Sequence, residues 1–318
     1  RTFGTSAGLL YNGPLNPMST LIIALPPSGG DTTTRYEHVL TPDGATVGVH
    51  ATGAASLLPL ASRGTDEIVA VVPAELMSWH RVELPKGVGS GSSRLRPVLN
   101  SLLEDRLLDD PLDLHLACEP AFAAGSSIWV CAVDKAWLRQ HLQVLETAGR
   151  PVARLVPEFA PQGGPLRLQV LGEAEHPIIV MTGDAVAGGV ARFPLDAGTM
   201  GAILGHDNPS APAELLAEPA TAERAETLFQ RRVEIRQRER RLMLATQTPW
   251  DLAQFDLANT SRTRSLKRTL GAAQTLLRAP EWRAARWGFG LLLAANLVGL
   301  NAWAWKEQAS WQSRRQAI

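Results

Sequence analysis

Short apolar runs separated by turn residues open the regular part of the chain. Residues 20–25, 35–40 and 45–50 are typical of strands, and Pro, Gly and Asp residues lie between them. A helical pattern at 54–61 then precedes an apolar strand at 68–72. Three antiparallel strands, a helix and a strand that returns parallel to the first form the opening of an RNase H-like or actin-like fold, so the pattern predicts the α/β class.

A helix with one apolar and one acidic face is predicted in the middle of this first lobe. Leu and Val residues recur every three or four positions over residues 95–107. Acids cluster on its other face and at its exit, and they are candidates for a partner interface, with a solvated acidic face as the alternative: Glu104, Asp105, Asp109 and Asp110. The surrounding pattern predicts strands at 78–84, 114–119 and 127–133, and a helix at 135–148 that Asp134 caps and Gly149 ends.

Strand patterns return after a Pro-rich stretch, which predicts a second α/β lobe related to the first. The predicted elements are strands at 166–171, 178–181 and 185–192 and a helix at 212–229. The Arg-rich sequence RQRERR then lies between short apolar runs, so we expect a basic hairpin. Arg236 and Arg238 in this hairpin are candidates for contacting an acidic partner face or lipid headgroups, and ordinary solvation is the alternative.

The most apolar segment lies near the C-terminal end. Residues 287–305 contain no charged residue, and as a helix they would reach about 28 Å, close to the hydrocarbon thickness of a bilayer. Basic residues dominate the preceding segment and Trp residues lie at both ends. These flanks favour a single transmembrane helix with the N-terminal part in the cytoplasm, and a buried core helix is the alternative. Small residues on one face form a candidate helix-pairing surface: Gly288, Ala295, Gly299 and Ala302.

Composition sets the organisation and excludes some functions. The 318 residues carry a formal net charge of zero, which argues against a general nucleic-acid-binding protein. Cys118 and Cys131 lie in apolar, strand-like runs, so we expect buried, reduced thiols. The predicted organisation is a disordered leader or added segment (1–17), a first lobe (18–160), a second lobe (161–260), a basic juxtamembrane segment (261–286), the membrane helix (287–305) and the start of a periplasmic part (306–318).

The sequence lacks the common motifs of catalysis and metal binding. Beyond residues 1–17 it contains no Walker A loop, HExxH, GxSxG or CxxC, and its seven His residues lack metal-ligand spacing, so we expect no catalytic site, metal or cofactor. An actin-like fold would bind a nucleotide through two phosphate-binding turns, here at residues 24–32 and 182–184. Pro26 and Pro27 remove two N–H donors from the first turn, and no acid ends its strand. We therefore favour a solvated loop.

Three segments resemble the L subunit of the type II secretion system, a bitopic protein of the inner-membrane platform. VVPAELMSWHRVELPKG (71–87) is similar to the family's strand-turn-strand, and LRPVLNSLLEDRLLDDPLDLHLA (95–117) is similar to its acidic helix and following strand. WDLAQFDLAN (250–259) resembles the family's NLLQG-x-F element, with Asp251 in place of the usual Asn and Phe255 one or two positions early. The resemblance covers about residues 18–305.

The resemblance implies a function as well as a fold. It implies an actin-like cytoplasmic domain without nucleotide chemistry, recruitment of the secretion ATPase (the E subunit), and pairing with the M subunit and other inner-membrane platform proteins. It also implies a homodimer, a place in the bacterial inner membrane and a small periplasmic ferredoxin-like domain after the helix. We therefore expect a non-enzymatic scaffold. A membrane-tethered actin-like ATPase and the cytoplasmic organiser of a type IV pilus are the alternatives.

Overall fold

The computed structural model describes residues 19–59, 67–196, 198 and 214–258. The predicted leader, juxtamembrane segment, membrane helix and periplasmic start lie outside these residues. The helix-pairing candidates lie outside them too: Gly288, Ala295, Gly299 and Ala302. Within the described residues, no helix combines the length and the apolar character that crossing a membrane requires.

Strands make up most of the regular structure in the described residues. In chain order they are β1 (Thr20–Ala24), β2 (Arg35–Thr41), β3 (Val49–Ala54), β4 (Glu67–Val72), β5 (Met77–Glu83), β6 (Leu114–Cys118), β7 (Ser127–Asp134), β8 (Arg154–Pro157), β9 (Arg167–Gly172), β10 (Pro177–Thr182), β11 (Val190–Pro194), β12 (Glu214–Ala217) and β13 (Glu234–Ile235). The helices are α1 (Leu95–Leu103), α2 (Lys135–Thr147), α3 (Ala222–Phe229) and α4 (Arg238–Thr246).

The first sheet has the predicted opening. Its strand order is β3-β2-β1-β4-β8. β1, β2 and β3 pair antiparallel, and β4 returns parallel to β1. The α/β class and this opening are therefore confirmed. The third strand starts at Val49, later than predicted, because the Asp43 carboxylate accepts the N–H groups of Ala45 and Thr46 and closes a turn there. Of the predicted helix at 54–61, the described residues contain only a 3-10 turn, Ala55–Leu57.

The second sheet repeats the strand order of the first. Its order is β11-β10-β9-β12-β13, with β9, β10 and β11 antiparallel, β12 parallel to β9 and β13 parallel to β12. Two predictions are wrong here. Residues 214–217 form strand β12 instead of helix, and RQRERR leads into helix α4 instead of forming a hairpin turn. A four-residue buried strand made of Glu, Leu and Ala cannot be distinguished from a helix by periodicity.

A three-stranded sheet, β5-β7-β6, is inserted between β4 and β8 and carries α1 on one face. Leu99 and Leu103 of α1 share a core with Leu116 and Cys118, whereas Cys131 belongs to the core on the opposite face. Both cysteines are free and buried, as predicted. Burial raises the pKa of the Cys118 thiol to about 12, so this group stays protonated and inert at neutral pH.

Helices cover both faces of the first sheet. Asp134 caps α2 by accepting the Trp137 N–H at 2.7 Å, and Gly149 ends the helix with a φ of +74°, which confirms the predicted cap and stop. Helix α4 lies on the other face, where Leu242 and Met243 are buried against β1, β4 and β8. The start of α4 thereby lies close to the C-terminal ends of β4, β8, β9 and β12.

Candidate functional site

A cleft of about 440 Å³ lies between the first and second sheets. Its walls come from the turn after β1, from β2 and β3, and from β9, β10 and β11. In an actin-like fold this is the place for a nucleotide, because the carboxyl ends of the central strands of both sheets face it. Three glutamates and four arginines line it: Arg35, Glu37, Glu75, Glu158, Arg192, Arg238 and Arg241. The described residues contain no group of three or more His, Cys, Asp or Glu placed to hold a metal ion.

The turn after β1 uses its hydrogen-bond donors internally. Asp31 Oδ1 accepts the backbone N–H groups of Thr33 and Thr34, each at 2.8 Å, and also both hydroxyls. These bonds from Thr33 and Thr34 lower the pKa of Asp31. The Thr33 and Thr34 N–H groups at the end of this turn therefore already bind a carboxylate that would repel phosphate, and Pro26 and Pro27 have no N–H to offer.

His141 of α2 holds the same turn from the core side. Its Nε2 donates to the Ser28 carbonyl at 2.8 Å, and its Nδ1 accepts the Tyr36 hydroxyl at 2.9 Å. Burial lowers the pKa of His141 and raises that of Tyr36 to about 12, so both groups are neutral at physiological pH. A Cβ on Gly30 would lie 2.9 Å from the His141 backbone nitrogen. This glycine is therefore required for packing against α2, and its presence does not indicate a phosphate site.

The second phosphate-type turn, predicted at residues 182–184, is in the wrong place. The centre of the second sheet is β9, as the centre of the first is β1, so the equivalent turn is the β9–β10 turn at residues 173–176. That turn contains Glu173 and Glu175, whose charges oppose phosphate binding. Residues 182–184 begin the β10–β11 connection instead, where Asp184 accepts a backbone N–H at 2.8 Å.

Arg241 of α4 closes the inner end of the cleft. Its guanidinium lies 2.5 Å from a Glu218 oxygen and 3.0 Å from a Glu158 oxygen, and little of any of the three side chains is exposed. The other oxygen of Glu158 accepts the Ala74 N–H, and the other oxygen of Glu218 accepts the Gly172 N–H. These charge-assisted bonds connect strand ends of both sheets. No feature of the sequence distinguishes Arg241 from the neighbouring arginines of RQRERR.

Arg236 and Arg238, the candidates for a basic partner surface, both bind acids of this chain. Arg236 lies 2.9 Å from Glu234, and Arg238 lies 2.6 Å from Glu37. Desolvation alone would raise the pKa of Glu37, but the charge of Arg238 and the hydrogen bonds from His50 and Arg238 lower it overall. The positive charges of Arg236 and Arg238 are therefore largely compensated by acids of the same chain. Their role in partner binding stays a prediction.

The predicted acidic cluster lies on an exposed loop, residues 104–113, here called the acid–leucine loop. Helix α1 ends at Leu103, earlier than predicted, so the four acids follow the helix and are exposed: Glu104, Asp105, Asp109 and Asp110. Leu108 and Leu112 lie among them with exposed fractions of 106% and 66%. Two exposed leucines within one short loop form an apolar feature that a protein partner could bury. The sequence offered one clue, since neither residue fits the apolar period of α1.

Hydrogen bonds hold the acid–leucine loop in a defined conformation. The Leu107 N–H donates to the Leu103 carbonyl at 3.0 Å, and the Leu112 N–H donates to Asp110 Oδ1 at 2.8 Å. The Asp113 carbonyl accepts the N–H of Lys135 at 3.1 Å, which attaches the loop to the start of α2. The exposed leucines are therefore presented on a constrained backbone, which lowers the entropy that a partner must remove on binding.

Residues 250–257, here called the exit strap, are the last part of the described chain and join the first sheet to the three-stranded sheet. The Leu252 N–H donates to the Leu155 carbonyl of β8, and His115 of β6 donates to the Leu252 carbonyl, both at 2.6 Å. The Trp250 ring packs edge-on against Trp79 of β5, with 4.8 Å between the ring centres. The strap therefore contacts β8, β6 and β5 within three residues.

Gln254 fastens the next part of the exit strap. Its side-chain amide accepts the Cys118 N–H at 3.0 Å and donates to the Cys118 carbonyl at 2.8 Å, as a residue of a neighbouring strand would. Asp256 then pairs with Lys135 of α2 at 2.9 Å. Because β6 is an edge strand of its sheet, Gln254 covers a backbone edge that would otherwise be open. Sequence reasoning found this segment only by resemblance and assigned no role to Gln254 or His115.

Comparison with known proteins agrees with this architecture. Residues 41–160 match the family described as Type II secretion system (T2SS), protein L. The resemblance seen in the sequence is therefore confirmed, and the matched residues include both the acid–leucine loop and β6. No curated protein matches the chain.

Solved structures also resemble the chain. The cytoplasmic domain of EpsL, described as an inner membrane component of the type II secretion system of Vibrio cholerae, is 19% identical; the match covers 75% of this chain and 99% of that one at a TM-score of 0.51. A PilM-PilN type IV pilus biogenesis complex is 12% identical, with 78% and 94% covered and a TM-score of 0.44. A Bacteroides thetaiotaomicron protein described as having an actin-like ATPase fold is 10% identical, with 73% and 96% covered at 0.39. The EpsL match shows a shared fold, whereas the TM-scores of the other two matches are too low to show one.

Removal of Arg241 would leave two buried carboxylates without their cation. We expect Arg241→Met to lower the free energy of unfolding of the full chain by about 3–5 kcal/mol. The matched control, Arg232→Ala on the nearby exposed surface, should change it by less than about 0.5 kcal/mol. Adding Glu158→Gln and Glu218→Gln should restore part of the loss. Urea denaturation followed by circular dichroism measures each value, and a loss below about 1 kcal/mol in Arg241→Met would contradict this assignment.

Acid should destabilise the folded chain through His115, which is buried beneath the exit strap. Burial is the largest cause that lowers the pKa of His115 from 6.5 to about 4; Arg96 and Lys135 add to it, while the Leu252 carbonyl and Asp256 oppose it. The unfolded chain therefore binds this proton more readily than the folded chain. Stability is consequently lost as the pH falls from about 6.5 towards 4, by up to about 3 kcal/mol.

Urea denaturation at a series of pH values tests this effect. In His115→Gln the fall in stability between pH 6.5 and 4 should become shallower, because the group that the folded state cannot protonate is gone. The exposed His176→Gln provides the matched control and should keep the slope of the parent chain. An unchanged slope in His115→Gln would show that other groups govern the acid response.

Proposed function

We propose that the chain is a non-enzymatic scaffold of the type II secretion inner-membrane platform that recruits the secretion ATPase. The family match over residues 41–160 supports a place in this secretion system, and EpsL, whose cytoplasmic domain has the same fold, is an inner-membrane component of one. In this proposal the described residues are cytoplasmic and residues 287–305 cross the inner membrane. The M subunit, other platform proteins and a second copy of the chain are its further partners.

The acid–leucine loop is the observation that carries the proposal. It presents Leu108 and Leu112 on a hydrogen-bonded backbone with acids on both sides. Protein interfaces commonly combine an apolar centre with a charged rim, and the rim charges mainly select the partner and speed association. The surface therefore fits a partner with a small apolar pocket surrounded by Lys and Arg. We assign this partner to the secretion ATPase.

The hydrogen bonds, acids and ion pairs in the cleft favour a scaffold rather than a nucleotide hydrolase. Asp31 binds the Thr33 and Thr34 N–H groups at the end of the first turn, and Glu173 and Glu175 lie in the second. The base of the cleft is filled by the ion pairs of Arg241. Phosphate binding by an actin-like fold needs N–H groups on both turns and a net positive or metal-bound setting. The acids on the two turns oppose such a setting.

Charge reversal on the acid–leucine loop should weaken recruitment of the ATPase. We expect Asp105→Lys combined with Asp109→Lys to reduce retention of the ATPase on membranes containing the full chain by about tenfold, and to make the remaining binding less sensitive to salt. Leu108→Ser should reduce retention without changing the salt dependence.

The matched control reverses Glu173 and Glu175, an equal change of charge on the β9–β10 turn, and should leave retention unchanged. Co-sedimentation of the ATPase with these membranes over a salt series gives the comparison. Retention that is equal in the loop variant and in the parent chain would remove the loop from the docking surface.

Mg-ATP should not bind to the cleft. Isothermal titration of the full chain should give no saturable heat at micromolar concentrations, because the Asp31 carboxylate holds the Thr33 and Thr34 N–H groups and Glu173 and Glu175 lie in the second turn. Saturable micromolar binding would favour a membrane-tethered actin-like ATPase. In that case Arg241→Met should alter the affinity, since Arg241 lines the same cleft.

A further inference from the structure

Arg96 of α1 contacts both the acid–leucine loop and the exit strap. One of its guanidinium nitrogens donates to the Pro111 carbonyl at 3.0 Å and to the Leu114 carbonyl at 2.7 Å. Its guanidinium carbon lies 5.7 Å from the centre of the Phe255 ring, within the range of a cation–π contact. One half-buried side chain thus connects the proposed docking loop to the segment through which the chain continues towards the predicted membrane helix.

Strand β6 provides a second connection between the same two surfaces. The acid–leucine loop runs directly into β6 at Leu114, whose carbonyl Arg96 binds. The exit strap is bonded to β6 one residue later, at His115, and again at Cys118. A shift of the loop that displaces Leu114 therefore acts on the edge to which the strap is attached.

The conformation of Phe255 makes the exit strap sensitive to this contact. Phe255 has a φ of +48°, in the left-handed region that a bulky residue rarely adopts. Such a conformation persists only where the surroundings hold it. Here the ring packs against the core beneath α1 and under Arg96, and Gln254 and Asp256 on either side are bonded to β6 and α2. Loss of the Arg96 contact would therefore favour release of the strap.

We propose that Arg96 couples the two surfaces, so that a partner that orders the acid–leucine loop also tightens the exit strap. The biological meaning of this coupling rests on the proposed function, because it would report docking of the ATPase to the membrane side of the chain. Coupling of this kind is reciprocal: whatever loosens the strap must loosen the loop by the same free energy.

Hydrogen exchange measured by mass spectrometry on the full chain tests the coupling without any partner. Asp110→Ala removes the acceptor of the Leu112 N–H and loosens the loop. We expect the amides of the exit strap to exchange about tenfold faster in this variant, the scale of one lost hydrogen bond. Asp105→Ala, an equal loss of charge on the same loop, is the matched control and should leave the strap unchanged.

The role of Arg96 is tested by repeating the comparison in its variants. In Arg96→Gln the strap should exchange fast from the outset, and adding Asp110→Ala should change it much less than in the parent chain, because only the connection through β6 remains. Arg96→Lys retains the charge but not the planar guanidinium, and should show an intermediate effect. In the reverse direction, Gln254→Ala should speed exchange in the acid–leucine loop, and by a larger factor when Arg96 is present.

The outcomes separate the coupling from the proposed function. Strap exchange that does not respond to Asp110→Ala, or that responds equally with and without Arg96, would overturn the coupling whether or not the ATPase binds. With the ATPase added, protection of the strap in the parent chain and its loss in Arg96→Gln would support both proposals. ATPase binding that leaves strap exchange unchanged would refute the coupling alone, and failure of the ATPase to bind would refute the proposed function alone.

Discussion

One buried guanidinium shared by two carboxylates constrains the arrangement of the two sheets. Glu158 follows the last strand of the first sheet, Glu218 follows a strand of the second, and Arg241 lies between them on α4. Buried charges are tolerated only when each is paired and its remaining lone pairs are bonded, which the Ala74 and Gly172 N–H groups accomplish. The strand ends that face the cleft cannot move apart without breaking this arrangement.

That constraint gives the cleft a structural role. The turn after β1 is closed by the Asp31 carboxylate and packs on α2 through Gly30 and His141, and the β9–β10 turn carries Glu173 and Glu175. The surfaces available to partners are consequently at the periphery, on the acid–leucine loop and along the exit strap. The same architecture can thus serve catalysis in one protein and attachment in another, because function depends on the site and not on the fold.

Local patterns predicted well the elements that are long or strongly periodic. The apolar period of α1, the Asp134 cap of α2 and the antiparallel opening of the first sheet all appear in the structure. The misassigned elements lack such a pattern: β12 has only four residues, and α4 begins in a sequence dominated by arginine. Four buried residues do not complete a period, and the apolar residues that fix α4 to the first sheet come only after its first turn. The second phosphate turn was misplaced because the residues of a turn do not determine which strand lies at the centre of the sheet.

The sequence by itself determined the class of the fold, the exposed acids near residue 105, the capped helix α2 and the resemblance to secretion protein L, because each depends on residues close together in the chain. Only the tertiary structure decided which charged side chains are paired with one another inside the chain. Glu158, Glu218 and Arg241 come from three separate segments, and Arg96 meets Phe255 across more than half of the described chain. Pairings over such separations are selected by how sheets and helices pack, and no local spacing of residue types encodes them.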